Sequence, residues 1–132
     1  MIKKITIGIL FFMALNVFSF INANPACASE IQNPNASYEI YRTDNIYNVL
    51  KLNTRNGIIT QVQIGVNKDG GRMEVYINSE PLVSTEEQQN GRFALYPTGN
   101  LYNFILLDRI SGRTWQVQWH TKPDYRYITR IS

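Results

Sequence analysis

The chain reads as an all-β protein: two four-stranded antiparallel meander repeats packed as one eight-stranded sandwich or small barrel. Three observations predict it. Tyr38 to Ile77 aligns without a gap on Phe93 to Ser132 at an offset of 55 residues, with 11 identities in 40 positions. Eight short runs rich in Tyr, Val, Ile, Thr and Trp alternate apolar and polar residues with period two, as half-buried strands do. The runs are divided by Asx- and glycine-bearing turns, and no sustained helical period occurs after residue 28.

Taken in order, a polar lead over 29–37 precedes a first strand at Tyr38 to Thr43, closed by Asp44 and Asn45. Ile46 to Leu52 forms the second, with Ile46, Asn48, Leu50 and Leu52 on one side and Tyr47, Val49 and Lys51 on the other. Asn53 to Gly57 and its counterpart Asp108 to Gly112 each open on an Asx residue and close on glycine. An Asx side chain accepts hydrogen bonds from nearby backbone amides and glycine takes the left-handed conformation, so both are hairpin loops.

The third strand is Ile58 to Ile64, and its second copy is Arg113 to Trp119. Trp115, Val117 and Trp119 lie on one face of that copy, which predicts that this face and its counterpart in the first copy are apolar. The glutamines Gln61, Gln63, Gln116 and Gln118 then face solvent or a groove. Arg72 to Asn78 completes repeat one over 38–78, and the acidic linker 79–91 leads to repeat two over 92–132. The remaining strands of repeat two fall at Arg92 to Tyr96, Leu101 to Leu107 and Tyr125 to Ile131. A pseudo-two-fold axis is the expected relation between the repeats.

Met1 to Ala28 reads as a signal peptide, with Lys3 and Lys4, an apolar run from Ile5 to Leu15, and Ala26-Cys27-Ala28 as an A-x-A cleavage site before Ser29. A lipid anchor on Cys27 is a second reading of the same segment, although Asn24 stands where a lipobox has an aliphatic residue. The expected location is exported: periplasmic, cell-surface or secreted. The apolar run is shorter than the ~18 residues of a membrane span. After cleavage 11 Lys and Arg face ten Asp and Glu, and no basic run remains, which argues against nucleic acid as a partner. No cysteine follows Cys27, so the expected mature chain has no disulfide and depends on its core.

The D-x-x-x-G-x-x-W turn of Asp108, Gly112 and Trp115 resembles a blade of a quinoprotein-type β-propeller, which implies four-stranded units of about 40 residues. The tryptophan falls one position early, Thr60 replaces it in the first copy, and two blades do not close a propeller of about four to eight. The segment Tyr102 to Trp119 also resembles small exported bacterial proteins with Y-N-x-x-x-L-D-x-x-x-G-R-x-W-Q-V-Q-W runs, a likeness that implies no activity.

Chemical signatures are sparse. Trp115 and Trp119, about 13 Å apart along a strand at ~3.3 Å per residue, suit a stacking platform, but a core stripe is the better reading. His120 is the lone histidine, and nothing near it in sequence builds a catalytic triad. Asp69 and Asp124 recur, each in a turn. Asn67-x-Asp69-x-Gly71 lacks the later ligands of a calcium loop, and no zinc spacing occurs. The sequence therefore predicts no catalytic residue, no metal and no cofactor. It predicts a non-enzymatic binding module for a glycan or protein, with Tyr47, Tyr102, Gln61, Gln63, Gln116, Gln118 and Trp119 as contact candidates. The alternatives are assembly into a homo-oligomer through edge strands, which are templates for pairing, and inhibition of a hydrolase.

Overall fold

The computed structural model describes residues 33–132. The segment read as a signal peptide, with the expected cleavage site and Cys27, lies outside the described residues. Eight strands follow in order: β1 (Tyr38–Arg42), β2 (Asn48–Asn53), β3 (Ile59–Gln63), β4 (Met73–Asn78), β5 (Phe93–Pro97), β6 (Asn103–Asp108), β7 (Thr114–Gln118) and β8 (Tyr127–Ile131). Short 3-10 turns occupy Thr85–Glu87 in the linker and Pro123–Tyr125 before β8.

Each repeat is one antiparallel meander, β1-β2-β3-β4 and β5-β6-β7-β8. The barrel alternative is not realised: the strands form two separate sheets, which pack face to face, with β2 beside β5 and β4 beside β8. No helix among the described residues is long and apolar enough to cross a membrane.

Local hydrogen bonding explains most of the repeated residues. The Thr43 hydroxyl donates to Asn48 O at 2.7 Å, and the Thr98 hydroxyl donates to Asn103 O at 3.0 Å. Asn45 Oδ1 accepts the Tyr47 amide at 2.9 Å, and Asn100 Oδ1 accepts the Tyr102 amide at the same distance. These Asx turns divert the Tyr47 and Tyr102 amides, while the Tyr47 and Tyr102 carbonyls still accept the Ile64 and Trp119 amides, and β2 and β6 begin two residues later than alternation suggests. Gly57 and Gly112 close the hairpins at φ +80° and +76°. A side chain is disfavoured there by conformation alone, and at Gly57 a Cβ would also press on Leu82 and Phe93.

The core lies between the sheets. Leu50, Leu52 and Ile59 enter it from the first sheet, Val83 from the linker, and Phe93, Leu95, Phe104, Leu106, Trp115, Val117 and Trp119 from the second. Full burial of such a side chain contributes roughly 1.5–3 kcal/mol, so this cluster is the main stabilising term. Trp115 and Trp119 are core residues, as the apolar stripe of repeat two predicts. The indole Nε1 of Trp119 donates to Leu101 O at 3.0 Å.

Repeat one departs from the expectation. Its buried face carries Asn48, Leu50, Leu52, Ile59 and Gln61, whereas Val62 is half-buried and Ile64 exposed. At the equivalent positions of repeat two, Asn103, Ile105, Leu107, Thr114 and Gln116 lie on the outer side, and Phe104, Leu106, Asp108, Trp115 and Val117 on the inner. The two repeats therefore bury opposite faces. A two-fold axis between sheets would bring the same face of each into contact, so the pseudo-two-fold expectation is corrected. The repeats stack front to back, as blades do.

A buried ion pair anchors the second sheet. Arg92 Nε and Nη2 donate to the two Asp108 carboxylate oxygens at 3.0 and 2.9 Å, and Arg92 Nη1 donates to Glu87 O at 2.8 Å. Ser111 Oγ donates to Asp108 Oδ2 at 2.6 Å. Burial pushes the Asp108 carboxyl up, but these hydrogen bonds and those from the Ile110 and Ser111 amides outweigh it and hold it well below the ordinary carboxylate range. In repeat one the pair is replaced by Ser37 and Asn53.

Asp108→Asn leaves Arg92 buried without its counter-charge and should cost about 3–5 kcal/mol at neutral pH, read by urea unfolding. A depressed carboxyl stabilises the fold above its unfolded value of ~3.9 and loses that contribution as pH falls toward its folded value. The gap between wild type and variant should therefore narrow progressively below about pH 4. A gap that stays constant through acid would contradict this role.

Candidate functional site

The structure divides the seven predicted contact residues among four environments. Gln61 and Trp119 are fully buried. Tyr102 packs against the core, with its ring 5.3 Å from Trp119 and 4.7 Å from His120. Tyr47 and Gln63 line a shallow recess with Ile64, Val66 and, from the other repeat, Thr121. Gln116 and Gln118 lie on the outer face of the second sheet.

Gln61 is the residue whose surroundings differ most from the sequence expectation. Its Nε2 donates to Asn48 Oδ1 at 2.9 Å, while its Oε1 accepts from the His120 backbone amide at 3.3 Å and Arg126 Nε at 3.2 Å. One carboxamide thus holds Asn48 within repeat one by its donor end and ties to repeat two by its acceptor end. Arg126 is held in place by further bonds to His120 O at 2.8 Å and Thr121 O at 3.1 Å. Arg72, its counterpart once the last turn of repeat two is taken one residue shorter, braces its own loop in the same way through Lys68 O at 2.8 Å, Gly70 O at 3.0 Å and Asn67 O at 2.7 Å. The carbonyls of the Asn67 to Gly70 loop are thereby engaged by a guanidinium. Among the described residues, no cluster of three or more His, Cys, Asp or Glu side chains is placed to hold a metal ion.

The outer face of the second sheet is the most organised exposed surface. Tyr96, Ile105, Gln116 and Thr129 form one cross-strand row, and Asn103, Gln118 and Tyr127 the next. Gln116 Nε2 donates to Asn103 Oδ1 at 2.8 Å, a copy of the Gln61–Asn48 bond, and also to the Tyr127 hydroxyl at 2.9 Å. Gln118 Nε2 donates to Tyr125 O at 2.9 Å. Tyr96, Tyr125 and Tyr127 are exposed around these amides. Side chains tied down in this way lose little entropy on meeting a partner.

His120 sits at the edge of this surface in a stack of rings, 4.7 Å from Tyr102 and 4.9 Å from Tyr125. Its Nδ1 accepts the Lys122 amide at 2.9 Å. The stack runs Trp119, Tyr102, His120, Tyr125 from the core to the surface, and it fixes the turn that delivers the His120 amide to Gln61. Sequence reading named Gln116 and Gln118 as candidates but not Tyr125, Tyr127 or Arg126. The register supplies the missing indication, because Tyr127 stands opposite Gln118.

Gln61→Ala should destabilise the protein by about 1–3 kcal/mol, because it leaves the buried Asn48 Oδ1 and the His120 amide without this partner and removes one of the bonds of Arg126. Gln116→Ala, at the same repeat position but on an outer face, should cost less. Paired denaturant titrations read both, and equal losses would contradict the opposite-face packing. No protein family, no curated protein and no solved structure matches the chain.

Proposed function

We propose that the chain is a non-enzymatic binding module for an extracytoplasmic partner, protein or glycan, and that the outer face of its second sheet makes the contact. The observation that carries this reading is the pair of adjacent rows in which half-buried Gln116 and Gln118 lie beside exposed Tyr96 and Tyr127, with the amides already held by Asn103, Tyr127 and the Tyr125 carbonyl. Tyrosine offers apolar area and a hydroxyl at small entropic cost, which suits it to recognition surfaces. An extracytoplasmic partner follows from the export signal expected at the N-terminus.

A broad surface contact is favoured by the extent of these rows. The recess beside Tyr47 and Gln63 holds about 260 Å³ and a second, lined by Arg42, Asp44, Pro97 and Leu101, about 390 Å³, at or near the lower end of the ~300–1,000 Å³ of sites that enclose a drug-sized ligand. His120 is occupied in an aromatic stack and accepts a backbone amide, which supports a positioning role rather than proton transfer to a substrate.

Removing both outer amides, Gln116→Ala with Gln118→Ala, should weaken binding about tenfold, since each lost hydrogen bond contributes roughly 0.5–1.5 kcal/mol. Biolayer interferometry against partners found by glycan array and by cross-linking measures it, with circular dichroism confirming the fold. Unchanged affinity for every such partner would defeat the reading.

A further inference from the structure

The geometry points to a second copy of this chain as the partner of that outer face: copies stack head to tail, each placing its second sheet on the first sheet of the next, and close into a propeller-like ring. This inference rests on the binding-module reading and names its partner.

Within one chain, the front of sheet one meets the back of sheet two. The front carries Tyr41, Asn48, Leu50, Leu52, Ile59 and Gln61, and the back carries Phe93, Leu95, Phe104, Leu106, Trp115 and Val117. That contact is heterologous, so it uses up one face of each sheet and leaves the other two uncovered. The uncovered faces are repeat equivalents of the covered ones. The front of sheet two presents Tyr96, Asn103, Ile105, Leu107 and Gln116; the back of sheet one presents Tyr38, Ile40, Val49 and Val62. Each open face therefore has a demonstrated mode of packing in the same molecule.

Residue identity supports the match. Of the repeated pairs, Tyr41/Tyr96, Asn48/Asn103, Leu52/Leu107, Gln61/Gln116 and Gln63/Gln118 all belong to the front face. Repeat two thus keeps, on an outer surface, the residues that meet a neighbouring sheet in repeat one. The back of sheet one exposes large apolar side chains among its charged ones: Tyr38, Ile40 and Tyr76 are 59%, 51% and 63% exposed, and exposed apolar side chains grouped on one face mark interaction sites. By the same equivalence, Arg72 of one copy takes the place of Arg126 and approaches Gln116 of the next. Two sheets per chain and about four to eight blades per propeller give about two to four copies. Lys51 and Glu74 pair on the back of sheet one where repeat two has Leu106 and Ile128, with Thr60 Oγ1 donating to Glu74 at 3.0 Å. Covering that pair costs desolvation, which makes the contact between copies weaker than the one within a chain.

Ile40→Lys and Ile105→Lys disable one face each, because their repeat equivalents Leu95 and Leu50 are sunk in the interface within the chain. Sedimentation equilibrium on protein purified from cells expressing the full chain should show a concentration-dependent species that stops at a fixed small copy number. Each variant alone should fall to smaller species with circular dichroism unchanged. An equimolar mixture should form a heterodimer, since each variant retains the face the other lacks; that recovery also shows that both variants fold. Three results would overturn the ring: a wild-type monomer throughout, oligomers that survive either substitution, or disrupted variants that fail to complement. A monomer whose partner binding still depends on Gln116 and Gln118 would defeat the ring and leave the binding-module reading standing.

Discussion

The carboxamide of Gln61 lies at the seam between two sheets, and the surrounding structure is arranged to satisfy it there. A buried amide without partners costs about 1–3 kcal/mol, so its position imposes a demand on both repeats. Asn48 takes its donor end from within repeat one, and the His120 amide and Arg126 supply its acceptor end from repeat two. Those donors are in place only because the turn after β7 is braced, by the ring stack from Trp119 to Tyr125 and by the Arg126 bonds to His120 O and Thr121 O. The seam thus fixes which face of each sheet is inside.

The strands and hairpins were legible in the sequence because they are set by local chemistry. Period-two alternation gave eight strands, and the Asx and glycine residues of the turns gave their ends to within about two residues, an error typical of element boundaries. The face assignment in repeat one was not legible from the repeat itself. Equivalent residues share hydrogen bonds within their own sheet, as Thr43 and Thr98 do, yet nothing in a local bond specifies which side a neighbouring sheet covers. The indication lay in the cross-strand partners instead. Gln61 stands opposite Leu50, and Thr60 opposite Lys51, whereas Trp115 stands opposite Leu106. A charged residue behind Thr60 and an apolar one behind Trp115 mark opposite inner faces. The β-bulge between Ile59 and Thr60, which leaves both buried, adds to the difference.

The candidate site was legible in part for the same reason. Glutamines at repeated positions announced a polar row, but whether that row lies in a seam or on a surface depends on stacking, which differs between the repeats. Gln61 became a structural tie and Gln116 an outer amide, although both donate to the same kind of asparagine. Tyr127, which completes the outer row, comes from β8 and has no tyrosine counterpart in β4, where Met73 stands once the last turn is shortened by one residue.

The opposite-face arrangement is tested most directly by a double-mutant cycle on unfolding free energy with Gln61→Ala and Arg126→Ala, two residues on different repeats. Contact across the seam predicts a coupling of at least about 0.5 kcal/mol. Strict additivity of the two substitutions would contradict the seam, and with it the front-to-back stacking of the two sheets.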